Sequence, residues 1–203
     1  MKHLIFLILL SPLFLLGQGP TLDPNELSGI AQGEKAPLFE AINQQKNTVI
    51  LADLLQSGPV VLIFYRGQWC PYCSRHLSAF QEELKAIQAL GAHVIAISPE
   101  TPEYLTEMAE KSGAKFELLW DENYKISKDY GLLFDPGEEL VSRYNTRLNA
   151  DFPISHGGED AFLPIPATYI IGQNGEVIWR QFDPNYKNRS TVVEVIEVLY
   201  AID

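Results

Sequence analysis

The run Val60-Val61-Leu62-Ile63-Phe64 leads through a short linker into Cys70-Pro71-Tyr72-Cys73, and there the pattern changes from strand to helix. No other stretch limits the fold as much. A β-branched and aromatic run bounded by Gly58-Pro59 predicts a strand buried on both faces. Beyond Cys73, Leu77, Phe80, Leu84 and Ile87 recur at three- and four-residue steps, which predicts an amphipathic helix of about five turns. Pro71 suits its first position, where a missing N–H costs nothing and a fixed φ helps. After Gly91 a second apolar run, His93-Val94-Ile95-Ala96-Ile97-Ser98, predicts another buried strand. Strand, helix and strand in that order form a βαβ unit, so the two strands are expected to be parallel.

Both cysteines of the chain sit at this junction. A helix start presents unpaired N–H groups, and the positive end of the helix dipole, to whatever lies in its first turn. A thiolate there is stabilised, and its pKa falls from about 8.5 into roughly 3.5–7.5. A second thiol one turn away can attack a mixed disulfide or a sulfenic acid formed on the first. The pair therefore reads as a redox site. Cys70 and Cys73 are its reactive residues, and Trp69, Pro71 and Tyr72 are expected to shape an exposed rim around them. Other uses of two cysteines fit less well. A structural staple across so short a ring removes little entropy from the unfolded chain. A zinc site needs four ligands, and only His76 follows at useful spacing, so no metal is assigned. Asp53 and Glu82 are candidate proton carriers.

Hydrophobic residues make up 46% of the 203, enough for one domain with a sizeable core. The net charge of −11 argues against nucleic acid or an anionic membrane surface as a partner. The N-terminus stands apart. Met1-Lys2-His3 is a short basic start, the run from Leu4 to Leu16 is apolar but for Ser11-Pro12, and Gly17-Gln18-Gly19 supplies small residues. This is the layout of a secretory signal peptide, too short to span a bilayer comfortably. An uncleaved anchor is the alternative, and the one circumstance that ties the chain to a membrane. No cysteine follows the apolar run, which excludes a lipid-modified N-terminal cysteine. The expectation is an exported protein, periplasmic or secreted, with a signal peptide at 1–19, a leader rich in Gly, Pro and acids at 20–35, and a single domain at 36–203. In an oxidising compartment a paired cysteine site must be re-reduced by a partner or act as an oxidant.

Within the domain, Ala36-Pro37-Leu38-Phe39 and the segment from Thr48 to Leu55 suggest a short hairpin or strand leading into a helical turn. Thr101 is an expected N-cap for a helix with Tyr104, Leu105 and Met108 inside. Phe116-Glu117-Leu118-Leu119-Trp120 predicts a shorter strand, followed by a short helix from Asp121 to Tyr130 closed by Gly131. Residues 132–166 are the least regular, with a short helix expected from Glu138 to Tyr144; a loop that long usually has structure or function of its own. Two apolar runs around Asn174-Gly175 predict a hairpin, and Val192, Val195, Ile196 and Leu199 a closing helix.

A βαβ unit, a hairpin and a terminal helix, with Cys-Pro-x-Cys at the first strand–helix junction, resemble the thioredoxin fold. The resemblance implies an α/β architecture with a central mixed sheet flanked by helices. Ile165-Pro166-Ala167-Thr168-Tyr169 resembles the segment where that superfamily carries a cis-proline facing the cysteines, which makes Pro166 a site residue. More narrowly, Val94 to Glu103, Lys115 to Glu122 and Asp129-Tyr130-Gly131-Leu132 are similar to peroxiredoxins of the alkyl hydroperoxide reductase/thiol-specific antioxidant (AhpC/TSA) family. The likeness spans roughly residues 34–200. It implies a thiol-based antioxidant oxidoreductase that reduces peroxides, needs no cofactor and is re-reduced by a thioredoxin-like partner. Set against the family's Pro-x-x-x-Thr-x-x-Cys, Arg66 stands in the Pro place, Cys70 in the Thr place and Cys73 in the peroxide-attacking place. The arginine that the family brings in before its late strand falls near Pro166 and is missing there, which leaves Arg66 as the candidate for its charge.

Two mechanisms stay open, and they divide the cysteines differently. In a peroxidase, Cys73 attacks the peroxide and Cys70 resolves the sulfenic acid to a disulfide. In an exported protein-disulfide oxidoreductase without peroxidase activity, Cys70 is the exposed nucleophile at the helix start and Cys73 resolves the mixed disulfide. A third class, copper delivery by an exported thioredoxin-fold protein, uses two cysteines and a distant histidine. His156 is the candidate there, although such sites favour three residues between the cysteines rather than two.

Overall fold

The computed structural model describes residues 20–21 and 23–202, so the expected signal peptide lies outside the described residues. A hairpin of β1 (Glu40–Ile42) and β2 (Thr48–Ile50) runs directly into helix α1 (Leu51–Ser57) and then into strand β3 (Val60–Phe64). Helices α2 (Pro71–Glu82) and α3 (Leu84–Ala89) lead to β4 (His93–Ser98), followed by α4 (Pro102–Ser112) and β5 (Glu117–Trp120). A left-handed turn at Asn123 and Tyr124 opens α5 (Lys125–Asp129), where the Asp121 carboxylate accepts the Ile126 and Ser127 N–H groups at 2.7 and 2.8 Å. The irregular segment contains β6 (Leu133–Phe134), α6 (Gly137–Leu148), α7 (Phe152–Ser155) and β7 (Leu163–Pro164). Strands β8 (Ala167–Ile171) and β9 (Val177–Phe182) and helix α8 (Val192–Ile202) complete the chain.

The main sheet has the order β5-β4-β3-β8-β9, with β3, β4 and β5 parallel and β8 and β9 antiparallel to their neighbours. It is the mixed sheet that the βαβ unit and the late hairpin imply. β3 is central and buried at every residue, as its unbroken apolar run requires. Its side chains alternate between two cores. Val61 and Ile63 face the cluster with Leu77, Phe80, Leu105 and Leu199, whereas Val60, Leu62 and Phe64 face Leu51, Leu55 and Ile126. Each such fully buried side chain contributes about 1.5–3 kcal/mol of hydrophobic stabilisation.

Three expectations are corrected. The single helix of about five turns is broken at Glu83, whose φ of −99° and ψ of 8° leave the helical range; Leu84 and Ile87 nonetheless reach the same core cluster as Leu77 and Phe80. Helix α6 is longer than the stretch from Glu138 to Tyr144, because its apolar stripe continues to Leu148 before Asn149 ends it in the left-handed region. The Ile165–Pro166 bond is trans. The β6–β7 pairing, and an Ile165 N–H bonded to Leu132 O at 2.8 Å, bring the chain into β8 already extended, with no tight turn at Pro166.

Residues 29–36 lie along the outer edge of the sheet. Gly33 N–H donates to Val177 O, and Val177 N–H to Glu34 O, both at 2.9 Å, so β9 is not left as a bare edge.

Candidate active site

The site forms where β3 leaves the sheet. Tyr65 still donates its N–H to Ile97 O at 2.9 Å, and the chain then turns away at Arg66. Gly67 passes through tight quarters, since a Cβ on it would lie 2.4 Å from Trp69 Nε1 and 2.6 Å from Glu100 Oε1. Gln68 donates its N–H to Glu100 Oε2 at 2.7 Å, and Lys111 Nζ donates to Gln68 O and Oε1 at 2.8 and 2.9 Å. A carboxyl group following β4 and an ammonium group on α4 thus hold the loop. Cys70 caps α2 with an extended backbone, and its carbonyl accepts the N–H groups of Cys73 and Ser74 at 2.9 and 3.1 Å. Pro71 takes the first helical position, as its chemistry predicts.

The two sulfurs stand 2.6 Å apart and share a hydrogen bond. Neither cysteine is exposed, which corrects the expectation of an exposed dithiol. Helices α6 and α7 pack against the tryptophan that precedes the pair. Tyr144 stacks on Trp69 with ring centroids 4.8 Å apart, and Phe152 meets it edge-on at 5.5 Å. Trp69, expected at an exposed rim, is therefore part of the core. Tyr72 stays half-buried, with Tyr186 at its edge and the Arg75 guanidinium over its face.

Two arginines reach the sulfurs. Arg66 is buried; its Nη2 donates to Cys70 Sγ at 3.3 Å and its Nη1 to Tyr144 Oη at 3.2 Å. Its guanidinium carbon lies 3.9 Å from the centre of the Tyr186 ring, 5.1 Å from Trp69 and 5.5 Å from Tyr144. Such an aromatic cage compensates a desolvated cation by roughly 2 kcal/mol per good contact. Arg189, between β9 and α8, donates Nη2 towards Cys73 Sγ at 3.6 Å and Nε to Tyr186 O at 2.7 Å. The positive charge missing near Pro166 thus arrives from a later segment. Nothing in the motif spacing marks Arg189; its only sequence signal is a basic residue just before the closing helix. Arg66 Nε and Arg189 Nη1 are buried without a partner among the described residues, donors of the kind that stabilise a developing oxyanion. Pro166 is buried and lines a pocket with Arg66.

The charges are unevenly shared. Burial pushes both thiols up. At Cys73 the hydrogen bond shared with Cys70 and the charges of Arg189 and Arg66 outweigh burial and hold the thiol well below the usual range. At Cys70 burial, then the bond to Cys73 and its charge, push the thiol far up, with Arg66 only partly offsetting them. The two thiols titrate as a pair, with both guanidinium groups facing the negative charge they share.

Burial also raises the Glu100 carboxyl well above the carboxylate range; the Gln68 N–H offsets this in part and the Cys73 charge adds to it. Glu100 was not among the residues expected from sequence, although Ser98-Pro99-Glu100 lies at the carboxyl end of a central strand, where α/β sheets place their sites. Asp53 and Glu82 are exposed and bond to neither sulfur. His76 is buried on the cysteine helix, with Nε2 3.0 Å from Ser190 O and 3.1 Å from Ser190 Oγ, and burial lowers its pKa to about 4. Ser190 Oγ donates to Thr168 Oγ1 at 2.9 Å, so the segment carrying Arg189 is fastened to both α2 and β8. His156 is also buried; it bonds through Nδ1 to Tyr124 Oη at 3.0 Å and to neither sulfur.

The chain matches the AhpC/TSA family over residues 32–180. Among curated relatives, a chloroplastic peroxiredoxin Q of Sedum lineare is 30% identical over 173 residues, covering 85% of this chain and 80% of the relative. A chloroplastic peroxiredoxin Q of Triticum aestivum is 32% identical over 148 residues, covering 71% and 68%. Among solved structures, peroxidoxin BcpB from Mycobacterium tuberculosis has a TM-score of 0.66 over 86% of this chain and 99% of that one; at 20% identity this bears on the fold alone. Peroxiredoxins act on peroxides through a thiol and are re-reduced by thioredoxin-like partners. With the family matched over most of its length, the chain belongs to the AhpC/TSA family and is a peroxiredoxin-like, thiol-dependent oxidoreductase.

Proposed function

We propose that the pair reduces peroxides with Cys73 as the attacking sulfur and Cys70 as the resolving one. The placement of Arg189 carries this reading: it donates towards Cys73 Sγ, the sulfur in the family's peroxide-attacking place, and with Arg66 favours the thiolate there. The Cys73 thiolate attacks one peroxide oxygen and the O–O bond breaks. The leaving alkoxide takes both electrons of that bond and the Cys70 proton, and departs as an alcohol, or as water from hydrogen peroxide. The two guanidinium groups meet the charge as it passes from sulfur to oxygen. Cys70 then attacks the Cys73 sulfenic acid, expels hydroxide that is protonated to water, and closes the disulfide. With the sulfurs 2.6 Å apart against a bond of about 2.05 Å, this needs no backbone rearrangement. A thioredoxin-like partner returns the pair to the dithiol.

The burial of both sulfurs favours a small oxidant over a protein disulfide. Loss of peroxide consumption in Cys73→Ser, with a dimedone-trappable sulfenic acid in Cys70→Ser, is the expected result. The opposite assignment, with Cys70→Ser dead and Cys73→Ser trapping mixed disulfides, would move the function to thiol–disulfide exchange. We also read residues 1–19 as an export signal, which makes the protein periplasmic or secreted. Finding Met1 on protein isolated from its native cells would overturn that reading.

A further inference from the structure

We infer that the arginine-rimmed pocket beside Cys70 binds a small thiol carrying a carboxylate, and that this thiol reduces the oxidised pair directly. The inference rests on the peroxidase reading for the origin of the disulfide and goes beyond it in naming a second reductant. The pocket has a volume of about 480 Å³, within the range of about 300–1,000 Å³ that small-molecule sites occupy. Its walls are largely apolar, with Leu140, Leu148 and Ile165 among them, and among the described residues its only charged lining residues are Arg66, Arg143 and Arg147. No acid among the described residues lines it, in a chain whose net charge is −11. Arg143 and Arg147 lie one turn apart on α6, both exposed, and neither is in an ion pair among the described residues. This is the complement of a small anion with an apolar body.

The pocket also selects the sulfur. Arg66, the donor to Cys70 Sγ, lines it, whereas Arg189, the donor to Cys73 Sγ, does not, so Cys70 is the sulfur on the pocket's side. An incoming thiolate attacks the Cys70 sulfur, a new S–S bond forms, and the old one breaks with its electron pair going to Cys73. Cys73 leaves as the thiolate that Arg189 and Arg66 stabilise, the better leaving group of the two. A second small thiolate attacks the small-thiol sulfur of this mixed disulfide. The symmetrical disulfide departs, and Cys70 takes up a proton. Two small thiols are oxidised and one protein disulfide is reduced.

The test uses the mature chain oxidised with diamide, so that it is independent of any reaction with peroxide. Reduction by 3-mercaptopropionate, 2-mercaptoethanol and cysteamine is followed by acid quench and mass spectrometry, with rates compared at equal thiolate concentration. The anionic thiol is expected to exceed the neutral one by roughly tenfold at low salt and the cationic one by more, the advantage shrinking as salt screens it. In the double variant Arg143→Glu/Arg147→Glu the ratio of anionic to neutral rates should fall at least tenfold. Equal rates for the three thiols, or an unchanged ratio in the variant, would overturn the inference. A protein that passes this test yet ignores peroxide would fail the peroxidase reading alone.

Discussion

Arg189→Met keeps most of the side-chain stem and removes the charge that lies 3.6 Å from Cys73 Sγ. Two unit charges about 4 Å apart interact by roughly 4 kcal/mol at an effective dielectric constant of about 20. Arg66 stays in place, and Arg189 is only partly buried, so about half of that, near 2 kcal/mol, is the expected loss. At about 1.4 kcal/mol per unit, the Cys73 pKa should rise by roughly 1–2 units. The ultraviolet absorbance of the thiolate, followed against pH in a Cys70→Ser background, reports a single sulfur and avoids the coupled titration. The peroxide rate at neutral pH should fall further than the thiolate population, because a donor to the leaving oxygen is lost as well; removing one such donor typically costs about 10²–10³-fold. Arg66→Met should shift the midpoint less, since Arg66 bonds to Cys70 and Arg189 to Cys73. A midpoint that does not move in Arg189→Met, with the peroxide rate unimpaired, would refute the assignment of the thiolate to Cys73.

Glu100 should make stability fall as pH rises. Above an ordinary carboxyl pKa of 4.5 the unfolded chain releases this proton while the fold retains it, at up to about 1.4 kcal/mol per pH unit until the buried acid ionises. Glu100→Gln keeps an acceptor for Gln68 and should flatten that slope in urea denaturation; parallel curves for the two proteins would count against it. His76 acts with the opposite sign, because its pKa falls from 6.5 to about 4 on folding. The unfolded chain gains the proton first as pH drops, so about 3 kcal/mol should be lost between pH 6.5 and 4, and His76→Gln should lose less over that window. Gly67→Ala forces a Cβ to within 2.4 Å of Trp69 Nε1 and should cost at least about 2 kcal/mol in thermal unfolding; an unchanged melting temperature would mean the loop relaxes freely.

Residues whose roles are local were readable in advance. Val60 to Phe64 announced a central strand, Pro71 a helix start, and Asn174-Gly175 a hairpin, because each depends on near neighbours alone. The cysteines were legible for the same reason. Their environment was not, since it is built from distant parts of the chain. Arg189 lies 116 positions from Cys73, and Glu100 reaches Gln68 across 32. The rings packed on Trp69 beside the dithiol, Tyr144 and Phe152, come from a segment whose weak pattern hides two helices. The trans bond before Pro166 likewise follows from a pairing between β6 and β7, strands too short to announce themselves.

Both guanidinium groups depend on one stretch between β9 and α8. Tyr186 covers Arg66 with its ring and holds Arg189 with its carbonyl, while Ser190 ties the stretch to His76 and Thr168. Connecting segments of this kind accept insertions and exchanges more readily than the helices and strands they join. Thiol acidity in this architecture can therefore drift between relatives while Cys-Pro-Tyr-Cys stays letter for letter the same. Transplanting residues 183–190 into such a relative should carry the acidity with it, a trait inherited by a loop rather than by the motif that displays it.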